Sequence, residues 1–138
     1  MTRRPVLAAL LVTLCCCLLS RTAAAQTEEE RVVQAQVDAF NRHDVAAFMA
    51  TFTPDVVFWE YPADTVFAGA TRVRAHYAEL FGDPDAKALH AEIRQRIVKG
   101  RFVIDHEHVT GLPGEGSHVS VVIYEVAAGR IKNAWFMN

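Results

Sequence analysis

Apolar positions along this chain fall into two regimes. From Thr27 to about residue 81 they recur mainly three and four apart, and from residue 89 onward they come in short runs broken by glycine. The first spacing is that of helices packed on one side, and the second is that of strands. Thr27-Glu28-Glu29-Glu30 has the form of a helix start, with a hydroxyl that can accept a backbone N–H and acidic groups at the positive helix end. Val33, Val37 and Phe40 then make one stripe that closes near Asn41. Asp44 offers a second cap, for a short helix with Phe48, Met49 and Phe52 inward, stopped by Thr53-Pro54-Asp55. A third helix is expected over 71–81, with Val73, Tyr77, Leu80 and Phe81 on its buried side and Gly82-Asp83-Pro84 ending it.

Between the second and third helices, "VVFWEYP" reads as a strand ended by Pro62, and "VFAGA" as a short one. Four more strands are expected over 89–98, 102–110, 118–126 and 130–137, all rich in β-branched and aromatic residues. Lys99-Gly100, the segment 111–116 and Ala128-Gly129 separate them, and such short connections make antiparallel neighbours. Three helices followed by hairpin strands give an α+β fold, with the helices packed on one face of a curved, mainly antiparallel sheet. A sheet that curls around a helix leaves a cone, whose mouth is a natural pocket.

The first 25 residues stand outside that fold. They carry Arg3 and Arg4, an uncharged apolar run over 5–19, and small residues at Ala23 and Ala25, the pattern of a secretory leader cut after Ala25. The run is too short to span a bilayer. None of Cys15, Cys16 and Cys17 follows a small residue, so a lipid anchor is not favoured. The expectation is an exported protein, periplasmic or extracellular, with one domain over 26–138 and no membrane anchor once the leader is gone. All 3 cysteines leave with the leader, so the remaining chain has neither disulfide nor thiol nucleophile. Three arginines leave too, which widens the acidic excess beyond the −2 of the whole chain. Without a basic stripe or a glycine-rich phosphate loop, nucleic acid and nucleotides are not expected as partners, and no cofactor is implied.

The segments "FNRHDVAAFMATFTPDVVFWEYP", "GATRVRAHYAELF", "IDHEHVTGLP" and "IYEVAAGRIKNAWF", in this order of elements, resemble the SnoaL-like branch of the nuclear transport factor 2-like superfamily. The resemblance covers about residues 28–138 and implies the cone fold; a homodimer is the expected assembly. It leaves the reaction open, because this scaffold hosts isomerases, cyclases, dehydratases, dioxygenase subunits and binding proteins. In the ketosteroid isomerases of this superfamily a carboxylate base precedes a proline on the first long strand. A tyrosine on the first helix and a protonated aspartate on the penultimate strand supply oxyanion donors. Those positions fall here on Tyr61 (with Glu60 one residue earlier), near Gln36, and near Val121. None matches, so the standard steroid-isomerase machinery is not expected.

The remaining polar groups with chemical promise lie in "FVIDHEHVTG". Alternation puts Asp105 and Glu107 on one face of the strand and His106 and His108 on the other. The family pattern places Val119, Val121 and Ile123 inward. With Thr110 opposite Ser117, that turns His106 and His108 into the pocket, whereas a slip of one residue turns in Asp105 and Glu107. Either pair supplies an acid–base group: a carboxyl whose pKa burial would raise, or an imidazole of suitable pKa. The plain alternative is one solvated pair and one structural pair. His106-x-His108 with His118 across the hairpin is too weak a pattern for a metal site. Trp59, Tyr61, Tyr77, Val121 and Phe136 are the expected ligand wall. Arg94 and Arg96 share a face with Glu92 and read as a solvated charge ladder. The functional expectation is a pocket for a small organic ligand. It serves either cofactor-free acid–base chemistry by one of the residues 105–108 with Tyr61 or Tyr77 as donor, or binding or dimerisation without turnover.

Overall fold

The structure, a computed structural model, describes residues 25–138. All but the last residue of the expected leader lies outside the described residues. The elements run α1 (Glu28–Asn41), α2 (Val45–Ala50), β1 (Phe52–Glu60), β2 (Asp64–Ala68), α3 (Ala70–Gly82), a 3-10 turn (Pro84–Ala86), β3 (His90–Lys99), β4 (Phe102–Leu112), β5 (Gly116–Ala127) and β6 (Arg130–Met137). The six strands form one sheet in the order β2-β1-β6-β5-β4-β3, antiparallel throughout except for the β1–β6 pair. The α+β expectation holds. Among the described residues no helix is long and apolar enough to cross a membrane.

Local chemistry explains most of the element boundaries. The Thr27 hydroxyl accepts from the Glu30 amide at 3.1 Å, and the Asp44 carboxylate accepts from the Ala47 amide at 2.9 Å, so both helix starts have their side-chain caps. β1 begins at Phe52, earlier than the sequence suggests. Its pairing with β6 breaks between Phe52 and Val57, and exposed Pro54 and Asp55 sit in that break, where no ladder donor is needed. Gly111 carries φ +72°, and a Cβ there would lie 2.3 Å from the Ala88 backbone, so β4 reaches the segment before β3 only because this residue has no side chain.

The helices cover the concave face. Phe48, Val33, Val56, Val73, Val103, Val122 and Ile131 are all below 2 % exposed and form the floor and the helix–sheet core. Along β5 the buried residues are Ser120, Val122, Tyr124 and Val126, while Val119 is 46 % exposed. Of the two registers left open by the sequence, Thr110 lies opposite Ser117, but the inward side of β5 is the other one. Asp105 and Glu107 therefore face the helices, and His106 and His108 face outward. The expected inward placement of Val119, Val121 and Ile123 is reversed, because both sides of this strand are apolar and alternation alone does not distinguish them.

Candidate active site

A cavity of about 340 Å³ opens between α1, α3 and the curved sheet. Apolar and aromatic side chains make most of its wall, including Phe40 from α1, Phe58 from β1, Tyr77 and Leu80 from α3, and Phe136 from β6. Glu107 enters from β4 and is 7 % exposed. Ser120, directly opposite it on β5, and Gln36 on α1 add polar groups deep in the wall. His76, Glu115, His118 and Asn138 lie along the more solvated part, where His118 Nε2 and Asn138 Oδ1 are 2.8 Å apart.

The geometry around Glu107 is specific. The Tyr124 hydroxyl donates to its Oε1 at 2.8 Å, from the next strand and fully within the core. Among the described residues, Oε2 receives no hydrogen bond, so one carboxylate oxygen is fixed and the other is free. Burial pushes the Glu107 carboxyl up to about 7; the Tyr124 hydrogen bond and Arg96 oppose the shift, and the Asp105 charge adds to it. Burial, reinforced by Glu107, holds the Tyr77 and Tyr124 hydroxyls protonated far beyond neutral pH. The Tyr77 hydroxyl makes no hydrogen bond to the described residues. It therefore stands in the cavity wall as a donor without a protein acceptor.

Asp105 has a different task. Arg96 grips it with two bonds of 2.7 Å, Nε to Oδ1 and Nη2 to Oδ2, and gives a third of 2.9 Å from Nη1 to Gln34 Oε1 on α1. Asp105 is fully buried and does not line this cavity. The charge ladder expected of Arg96 with Glu92 and Arg94 does not form. A bulge between Ile93 and Gln95 reverses the alternation of β3 and turns Arg96 inward.

The other sequence candidates divide by face. Tyr77 and Phe136 line the cavity. His106 and Val121 lie on the outer face, where they border a shallow hollow with Gln95, Ile97 and Ile104. His108 is also outside, its Nδ1 3.8 Å from Glu92 Oε2. Trp59 is on the outer face too, where its indole N–H donates to Asn133 Oδ1 at 3.0 Å. Tyr61 is 55 % exposed beyond the end of β1. Placing Trp59, Tyr61 and Val121 in the ligand wall is thus corrected by the direction of their strands. His118 lines the cavity while His106 and His108 face away from it, so these three do not converge. Among the described residues no group of three metal-ligating side chains gathers.

Sequence reading passed over Tyr124, Ser120 and Gln36. Tyr124 had a signal: a lone hydroxyl within an apolar run, "VVIYEV", must find a partner when buried. Gln36 had another, since an amide stands in the apolar stripe of α1 between Val33 and Val37. Its Oε1 is buried without a hydrogen-bond partner.

A helix-lined cone closed by a curved sheet is the nuclear transport factor 2-like fold. Within it, the chain belongs to the SnoaL-like domain family, which matches residues 33–134. No curated protein matches the sequence. Solved structures show the same fold. An uncharacterised cystatin-fold protein of Novosphingobium aromaticivorans is 22% identical, with a TM-score of 0.72 over 83% of this chain and 100% of that one. An LEH-like epoxide hydrolase of M. tuberculosis is 17% identical, with a TM-score of 0.65 over 80% and 81% of the two chains. A proposed ketosteroid isomerase of Kribbella flavida is 16% identical, with a TM-score of 0.66 over 80% and 76%. At these identities the likeness is one of fold.

Proposed function

We propose that this protein is a cofactor-free acid–base enzyme acting on a small, largely apolar compound that carries a carbonyl or hydroxyl group. Glu107 is the proton carrier. One observation carries the reading: a carboxyl held near pH 7 at the wall of an apolar cavity, with one oxygen fixed by Tyr124 and the other free. A group that is half ionised at working pH both takes and returns a proton readily. For a carbonyl compound, the Glu107 carboxylate takes a proton from the carbon beside the carbonyl. The C–H pair moves into the new C=C bond, and the carbonyl pair moves onto oxygen. The Tyr77 and Ser120 hydroxyls are the cavity donors available to that oxygen. Returning the proton to the same or a conjugated carbon completes exchange or isomerisation.

The test is deuterium incorporation by NMR, with one- and two-ring cyclic ketones in D₂O. Exchange should be catalysed by the wild type and fall by about a hundredfold or more in Glu107→Gln, with ketone binding retained. Binding without exchange in the wild type would instead make this a ligand-binding protein. The same base could activate water, the kind of chemistry named for the M. tuberculosis neighbour, so styrene oxide hydrolysis is measured alongside.

Export and self-association belong to the same proposal. The leader pattern over 1–25 supports export. The outer sheet face supports a homodimer, because Ile97, Ile104, Ile123, Trp135 and Trp59 pair strand to strand into one apolar row across five strands. Ile97 in that row is 53 % exposed.

A further inference from the structure

The charge of the cavity wall says something about its ligand that the proton-transfer reading leaves open. Among the described residues, no lysine or arginine lines the cavity. Its ionisable groups are Glu107, Glu115, His76 and His118 together with two tyrosines. Five of its lining residues carry benzene rings: Phe40, Phe58, Tyr77, Tyr124 and Phe136. The guanidinium of Arg96, whose charge acts on Glu107, is spent on Asp105 and Gln34.

A carboxylate, sulfate or phosphate entering this space would find no lysine or arginine, and would meet Glu107. An ammonium group would find the opposite. The unpartnered Oε2 of Glu107 can accept a charge-assisted hydrogen bond from it, and aromatic rings offer negative faces to a cation. Desolvating an ammonium is costly, so a buried pair is favourable only where geometry is good and water is near. The exposed positions of His76, Glu115 and Asn138 along the wall keep one side of the cavity wet.

We propose that the cavity is selective for charge: it takes apolar compounds bearing a protonated amine, seated on the free oxygen of Glu107, and it rejects apolar anions. The proposal rests on the reading that Glu107 faces the ligand, but not on turnover. An amine seated there occupies the oxygen that proton transfer needs, so such amines are competitive inhibitors of any reaction at this site.

Binding is linked to pH. The titratable and charged groups around Glu107 are Tyr124 on β5, Tyr77 on α3, Asp105 on its own strand and Arg96 on β3, with His76, His118 and Glu115 farther along the wall. Of these, Glu107 must lose its proton to receive the ammonium. One proton is released per amine bound below neutral pH, and the release vanishes above it.

The experiment uses three probes of one skeleton, read by naphthalene fluorescence and by calorimetry in two buffers: 2-(1-naphthyl)ethylamine, 2-(1-naphthyl)ethanol and 1-naphthylacetate. At pH 8 the amine is expected to bind about tenfold or more tighter than the alcohol, and the acetate weakest of all. The amine should weaken by about tenfold on going to pH 6, with proton release, while the alcohol stays level. In Glu107→Gln the advantage of the amine should disappear, with alcohol binding kept within about threefold as the check on folding. The idea is overturned if the acetate binds as well as the amine, or if the amine keeps its advantage in the variant. Ketone exchange without amine preference would sink this inference and spare the enzyme reading; the reverse pattern would do the opposite.

Discussion

Replacing Glu107 by Gln should make the protein more stable at alkaline pH while removing its chemistry. The unfolded carboxyl titrates near 4.5 and the folded one near 7, because burial opposes its charged form. Below pH 4.5 both states hold the proton and the group is neutral where it is buried. As the pH rises toward 7 the unfolded chain gives up its proton first, so the folded state binds more protons and stability falls with pH. Above 7 the loss is complete. At 1.36 kcal/mol for each unit of separation, it amounts to about 3 kcal/mol. Gln is neutral throughout, and its carbonyl can accept the Tyr124 hydroxyl in place of Oε1. The variant should match the wild type near pH 4.5 and exceed it by about 3 kcal/mol at pH 8, equivalent to roughly 10 °C in melting temperature for a domain of this size. Urea denaturation at four pH values between 4.5 and 8 measures this. The difference between the two proteins cancels the histidines and the remaining carboxyls. Parallel curves across that range would mean that Glu107 is solvated or already ionised, and the acid–base argument would lose its base.

Tyr124→Phe removes the donor that favours the charged form of Glu107, so the apparent pKa of that carboxyl should move up from about 7, visible in a carboxyl ¹³C titration. At pH 8 the same variant should lose about 2 kcal/mol of stability. Arg96→Ala leaves fully buried Asp105 without its partner and should cost about 3–5 kcal/mol in urea denaturation, far more than Arg94→Ala on the exposed side. Gly111→Ala should fold poorly or not at all, because its Cβ meets the Ala88 backbone. Gly114→Ala, with a similar φ of +79° and open space, should cost only about 1–2 kcal/mol. Light scattering should give a dimer for the wild type and a monomer for Ile123→Glu, since a charge in the middle of the outer apolar row would have to be desolvated.

The helices and hairpins could be read from sequence because their signals are local. Thr27 and Asp44 cap the helices they were expected to cap, and the glycine-containing links join antiparallel strands as expected. The pairing of Thr110 with Ser117 was one of two registers the sequence left open. What stayed hidden depends on which side of a strand meets the helices. The 118–126 run is apolar on both sides, one packing on the core and the other forming the outer row, so periodicity could not choose between the carboxylates and the imidazoles of β4. Arg96 was misplaced for a related reason: one extra residue in a bulge reverses every side chain beyond it. Tyr124 needed the choice of face before its hydroxyl could be matched with Glu107.

The Asp105–Arg96 clasp also limits how far a ligand can reach. On β4 the cavity takes in Glu107, Val109 and Leu112 and does not reach Asp105, two residues before Glu107 on the same face, where a charged pair stands in place of oil-like packing. A pair of mutually neutralising groups can be withdrawn as a unit: exchanging both for smaller aliphatic residues leaves no unpaired buried charge, at the cost of the cavity that opens. The double replacement Asp105→Ala with Arg96→Leu is therefore a route to a longer chamber that admits extended hydrocarbon tails, with the opposing pulls of Asp105 and Arg96 on the Glu107 carboxyl withdrawn together.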